Sequence, residues 1–220
     1  MERREALRLG AAGLVGSAVV YGGVSAYDRS QGGQTDTYTP IGSVELEGTT
    51  EVVTNDAGTT AYVATTTGYG TVDLSDPEKP RILADVREPL ADHDDGPLRD
   101  IYDVDVSGDR LLVAGPAHDR TAELRAAVLV DVADPAEPIT LGVFETEYHI
   151  HNCILDGEYG YLCGNEMNRN PLVIVDFSEP AEPVESARWS LLDEQPDWEP
   201  VDPILRYLHD VWVFDGLAVL

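Results

Sequence analysis

One phrase occurs three times along this chain, and it limits the possible folds more than any other feature. It reads Val72-Asp73-Leu74-Ser75-Asp76-Pro77-Glu78-Lys79-Pro80, then Val130-Asp131-Val132-Ala133-Asp134-Pro135-Ala136-Glu137-Pro138, then Val175-Asp176-Phe177-Ser178-Glu179-Pro180-Ala181-Glu182-Pro183. From Asp73 to Asp131 is 58 residues and from Asp131 to Asp176 is 45. Each phrase ends an apolar run such as Ala127-Val128-Leu129-Val130 or Leu172-Val173-Ile174-Val175. Proline donates no N–H to a ladder and fixes φ, so the acid-Pro-x-x-Pro stretch is a loop between strands. A short alternating segment follows each loop, at residues 81–86, 139–144 and 184–189.

Upstream of each phrase lies a hairpin. Tyr102-Asp103-Val104-Asp105-Val106 turns at Ser107-Gly108-Asp109, and His151-Asn152-Cys153-Ile154-Leu155 turns at Asp156-Gly157-Glu158. A looser copy precedes them, turning at Asn55-Asp56-Ala57-Gly58, and a fourth starts at His209-Asp210-Val211-Trp212-Val213 and turns at Asp215-Gly216. Glycine turns between alternating apolar runs are hairpin signals. The repeat is therefore four strands, and four-stranded antiparallel units of about 45 residues are propeller blades that bury both faces by stacking. The expected fold is all-β, a β-propeller of about three and a half blades over residues 39–220. Residues 40–46 align with 138–144 and are expected to be an orphan outer strand. The sequence stops inside the second strand of the fourth copy, so a piece of a longer ring is expected.

Residues 1–26 differ in composition: Arg3-Arg4 and Arg8 precede a stretch without charge that is rich in glycine and ends in Val24-Ser25-Ala26. That order is expected of an export signal of twin-arginine type, or of an uncleaved membrane anchor, with residues 27–38 as a flexible linker. An exported, secreted or cell-surface protein is the corresponding localisation.

The charge decides which partners are feasible. Forty-one Asp and Glu face 14 Lys and Arg, for a net −27, and Lys79 is the only lysine. Nucleic acid is excluded as a direct partner. Dispersed carboxylates with almost no lysine suit a high-salt solvent, where self-repulsion is screened, so a halophilic surface is expected.

Leu172-Val173-Ile174-Val175-Asp176 is the motif of the LVIVD-repeat family. The chain resembles an LVIVD-repeat propeller of the haloarchaeal, exported kind over roughly residues 40–220. The resemblance implies a surface or secreted β-propeller and assigns no activity.

Candidate chemistry gathers where the innermost strands begin. His149, His151, His209 and Asp210 are candidate ligands for a divalent transition metal, since imidazole and carboxylate suit Zn, Cu or Mn. The competing expectation is that Asp103, Asn152 and Asp210 share one repeated structural position and accept backbone N–H bonds there. Cys153 and Cys163 lie on two arms of one hairpin, and a three-residue loop would place them directly opposite on one face, as a disulfide or as two buried thiols. Glu166, Asn168 and Arg169 form a polar loop able to line a binding site. His93, among Asp92, Asp94 and Asp95, lies in a surface loop acidic enough for calcium but without EF-hand spacing. No nucleotide loop, nucleophile elbow or zincin helix is present in the sequence. Two functions remain: an interaction module for a protein or glycan partner, or a metal-dependent, oxidase-like enzyme, similar to propellers of the selenium-binding, methanethiol-oxidase kind, with the histidines about a central channel.

Overall fold

The computed structural model describes residues 39–118, 121–165 and 168–220. The export segment 1–26 and the linker 27–38 lie outside the described residues. Three sheets are four-stranded antiparallel meanders in chain order. Blade 1 is β1 (Thr49–Thr54), β2 (Thr60–Thr65), β3 (Gly68–Asp73) and β4 (Arg81–Arg87). Blade 2 is β5 (Asp103–Ser107), β6 (Arg110–Gly115), β7 (Ala126–Asp131) and β8 (Ile139–Glu145). Blade 3 is β9 (His149–Asp156), β10 (Tyr159–Asn165), β11 (Leu172–Asp176) and β12 (Val184–Trp189). Blade 4 is a two-stranded hairpin of β13 (Trp212–Phe214) and β14 (Leu217–Val219). The first strands touch in sequence, β1 with β5, β5 with β9 and β9 with β13, so the blades fan around their innermost edges. The expected β-propeller arrangement, three and a half blades long, is present.

The apolar runs follow from this stacking. Val173 and Val175 of β11 enter a cluster with Leu112, Ala127 and Leu129 of blade 2, while Leu172 faces Val211 and Leu208 on the fourth-blade side. A strand buried on both faces keeps apolar residues at every position instead of alternating. Tyr62, Ala64 and Tyr69 of blade 1 likewise meet Val104, Val113, Val128 and Val130 of blade 2. A valine or leucine in these clusters is worth about 1.5–3 kcal/mol when fully buried, a gain that needs a neighbouring blade on each side.

The repeated Asp is a turn device. Asp73, Asp131 and Asp176 each accept the N–H of the residue two places on, at 2.8, 2.9 and 2.8 Å. These bonds stabilise the carboxylate, holding Asp73 down at about 2 and Asp176 below the usual range, with Ser75 and Ser178 as the first causes. The prolines that follow dock each blade onto the one before. The Pro135 carbonyl accepts from Thr71 Oγ1 in blade 1, and the Pro180 carbonyl lies so close to Gly142 in blade 2 that a Cβ there would collide with it. A β-bulge recurs at this height in all three outer strand pairs, at Thr71, Leu129 and Ile174.

Two expectations are corrected in detail. Residues 40–46 are not a strand. They have no ladder partner among the described residues, yet Val44 and Leu46 pack on the outer face of blade 1 and Gly42 lies under the Pro77 carbonyl, as Gly142 does under Pro180. The hairpin loops hold two residues, not three: Asp156 pairs Tyr159 around Gly157-Glu158, and Ser107 pairs Arg110 around Gly108-Asp109. Gly108 and Gly157 take φ of 59° and 62°, which glycine adopts without strain at the first central position of a type II′ turn.

Candidate functional site

Five rings from three blades meet at the end where the inner strands begin. Tyr102 precedes β5, His118 lies in the β6–β7 loop, His151 is in β9, and Tyr207 and His209 come just before β13. Ring centroids are 5.2 Å apart for Tyr102 and His118, 4.7 Å for His118 and His151, and 4.5 Å for His151 and His209. Tyr207 stands 5.7 Å from His151 and 6.2 Å from His209. The Nε2 atoms of His151 and His209 are 3.1 Å apart.

Local structure explains how each ring is held. Asp100 accepts the His118 N–H on Oδ2 at 2.6 Å and the Ala117 N–H on its backbone carbonyl at 2.9 Å, fixing the β6–β7 loop. Residues 190–211 form a bridge carrying a one-turn helix, α1 (Leu191–Glu194), and two 3-10 turns. Asn170 Nδ2 donates to the carbonyls of Pro203 and Arg206 at 3.1 and 3.4 Å, the Arg206 guanidinium donates to the Asn168 carbonyl, and Ser190 Oγ donates to the Arg169 carbonyl at 2.8 Å. Arg169 also pairs with Asp193. The β10–β11 loop and the bridge thus hold one another, and the bridge delivers Tyr207 and His209 onto His151.

Burial and then the neighbouring His209 and His118 push His151 down to about 4, with Asp100 and Asp210 acting weakly the other way. Its imidazole is neutral at pH 7. Burial pushes Tyr207 up to about 12. His151 Nδ1, Tyr207 Oη, Asn152 Oδ1 and Asn165 Oδ1 are buried at this end of blade 3 without a hydrogen-bond partner. Each such group costs about 1–3 kcal/mol unless a water, ion or ligand meets it. Among the described residues, no three His, Cys, Asp or Glu side chains stand ready arranged around one metal ion.

Below the rim, β5 is stitched to β9 by alternate side chains. Asp103 Oδ2 accepts the Cys153 N–H at 2.7 Å, Asp105 Oδ2 the Leu155 N–H at 2.8 Å, and Ser107 Oγ the Gly157 N–H at 3.1 Å. Desolvation, opposed by these bonds, raises Asp103 to about 8 and Asp105 to about 6. The expected backbone N–H bonds at the repeated position are made by Asp103, which also accepts the Val104 N–H, and by Asp210, which accepts that of Val211 at 2.7 Å, but not by Asn152, whose Oδ1 has no partner.

A family model for the LVIVD repeat matches residues 153–190. The chain carries an LVIVD repeat. That repeat runs from Cys153 in β9 to the end of blade 3, so it contains β10, β11 and β12 and abuts His151. No curated protein matches the chain. Similar solved structures include a nidogen/laminin complex, at 15% identity and TM-score 0.47, covering 70% of this chain and 51% of that one. The N-terminal domain of Nup159 is 11% identical at TM-score 0.42, covering 79% and 38%. A hemopexin-fold protein, CP4 from cow pea, is 14% identical at TM-score 0.34, covering 65% and 68%. The chain spans about half of the length of the first of these.

Of the residues singled out in the sequence, His151 and His209 are brought together. The third imidazole is His118 instead of His149, which sits at the start of β9 opposite Asn165. No motif marks His118; only the approach of blades 2 and 3 reveals it. Cys153 pairs with Leu162, not Cys163, and enters the cluster shared with blade 2, whereas Cys163 enters the cluster on the fourth-blade side of the LVIVD repeat. Both thiols are free and buried. The expectation of directly opposed cysteines fails because the two-residue loop shifts the register by one. His93 turns to Glu145 of blade 2, with Nε2 3.3 Å from Oε1. Asn168 and Arg169 secure the bridge, and Glu166 lies outside the described residues.

Proposed function

We propose that this chain is an exported or cell-surface interaction module that receives a protein or glycan partner at the rim formed by Tyr102, His118, His151, Tyr207 and His209. One observation carries the reading: side chains from three blades converge there, and two of their buried polar atoms, His151 Nδ1 and Tyr207 Oη, lack partners. Clustered rings, together with hydrogen-bonding groups kept in a part-buried setting, are the side chains that line recognition sites. The rim is also set by loops on a rigid sheet scaffold, the usual arrangement for recognition. The basic, glycine-rich N-terminal sequence supports display outside the cell.

Capture from envelope extracts and binding to a panel of surface glycans, both in molar salt, test this reading with the folded chain and with Tyr102→Ala. The wild-type chain retains a partner and Tyr102→Ala loses it by tenfold or more. Retention that is the same in both proteins, or none by a folded wild-type chain, overturns the proposal.

A further inference from the structure

The closest approach within the rim has a chemistry of its own. His151 and His209 come from different blades, face each other through Nε2 at 3.1 Å, and are not backbone neighbours. Two donors on one tetrahedral zinc-like ion, each about 2.0–2.1 Å from it, stand about 3.3 Å apart. The pair is therefore within a few tenths of an ångström of the spacing two ligands of one ion adopt. Without an ion the same contact persists as an N–H···N hydrogen bond, with one ring protonated on Nε2 and the other accepting.

We propose that His151 and His209, completed by His118, hold one divalent transition-metal ion at the rim of the inner strands. This deepens the rim site above, and its test needs no partner. Three further observations support it. The His118 ring is 4.7 Å from that of His151 between centroids and touches Tyr102 edge-on, so a third imidazole stands next to the pair. Among the described residues the three imidazoles are not set around one point, so completing the group requires the His118 side chain to rotate. Secondly, ligation through Nε2 leaves the proton on Nδ1, and such a proton is normally given to a nearby amide or carboxylate oxygen. His151 Nδ1 is buried without a hydrogen-bond partner, so on ligation through Nε2 its N–H would be met by a water molecule. Thirdly, the side chains in ring contact here are imidazoles, while Asp210 accepts the Val211 N–H on Oδ1 and Asp100 that of His118 on Oδ2. Neutral imidazoles select zinc, cobalt, nickel or copper over calcium and magnesium, which require oxygen. The ion would tie the β6–β7 loop of blade 2, β9 of blade 3 and the bridge before blade 4 at one point.

Cobalt(II) reports its own geometry and tests the assignment. The full chain, stripped with a chelator that is then removed, is titrated with cobalt(II) and followed by visible absorption and thermal melting. One equivalent gives the intense bands of a low-coordinate site, raises the melting temperature by several degrees and is displaced by zinc. His209→Gln, an exposed position that leaves the core untouched, abolishes the bands, and His118→Ala weakens cobalt binding by tenfold or more. His149→Ala leaves binding unchanged. No bands with a folded chain, bands that survive His209→Gln, or bands lost in His149→Ala each overturn the ion site. An ion that binds as described while rim variants leave partner capture unaltered overturns the interaction module instead, so the two failures are distinct.

Discussion

Asp103 is a carboxyl group placed where charge is costly. Both of its oxygens accept backbone N–H bonds, from Val104 and Cys153, yet desolvation outweighs them and raises it to about 8, with Glu51 and Asp105 adding smaller repulsions. The folded state therefore holds a proton between about pH 4 and pH 8 that the unfolded chain has released. The stability that proton contributes is complete below the unfolded value near 3.8 and is lost as pH rises toward 8. Denaturation midpoints at fixed high salt are expected to fall from pH 5 to pH 8, and Asp103→Asn to flatten that slope while keeping an acceptor for the Cys153 N–H. Parallel slopes in the two proteins would show that the carboxyl group titrates normally. The cysteines make a second residue-scale prediction, since burial pushes both thiols up. A disulfide-exchange reagent should find two thiols per chain, both unreactive until the chain is unfolded; prompt labelling of either, or none after unfolding, contradicts this. Their place on the two arms of one hairpin was legible in the sequence. Their facing was not, because strand side chains alternate and one residue of turn length inverts the face.

At the scale of elements, the most legible part was the run that ends in Val-Asp before the double proline. The run is apolar at every position because blades cover it on both sides, the Asp closes a turn on the residue two places on, and the prolines exclude a ladder. What the sequence did not disclose is where that turn lands. The Pro180 carbonyl rests on Gly142 and the Pro135 carbonyl on Thr71, always on the preceding blade and always beside the bulge. Gly142→Ala would force a Cβ into the Pro180 carbonyl, so the blade 2 to blade 3 contact must open or the outer strand must shift. Overpacking of this kind costs about 1–3 kcal/mol. Chemical denaturation of Gly142→Ala should show a loss in that range, and stability within about 0.3 kcal/mol of wild type would mean that the turn does not bear on the neighbouring blade. The bridge of residues 190–211 was also illegible, since its short helical turns follow no apolar period and are fixed by side-chain bonds from the β10–β11 loop.

For the whole molecule the decisive quantity is the excess of 41 acids over 14 bases. Salt acts on it in two opposing ways. It weakens favourable surface pairs such as Arg188 with Glu185 at 2.9 Å, each worth at most about 1 kcal/mol and usually less. It also screens the repulsion among carboxylates that no base can match, over a Debye length that falls from about 10 Å at 0.1 M to about 3 Å at 1 M. With so few bases the second effect must dominate, so the melting temperature is expected to rise between about 0.1 M and 2 M NaCl. Salt can also strengthen apolar burial, and a charge variant separates that cause from screening. Replacing the exposed Glu137, Glu158, Glu179 and Glu182 by Gln removes four negative charges without touching the clusters between blades. If screening is the cause, this variant is more stable than wild type at 0.1 M and its melting temperature climbs less steeply with salt. Equal slopes would assign the rise to burial, and a melting temperature independent of salt in wild type would remove the case for a surface adapted to brine.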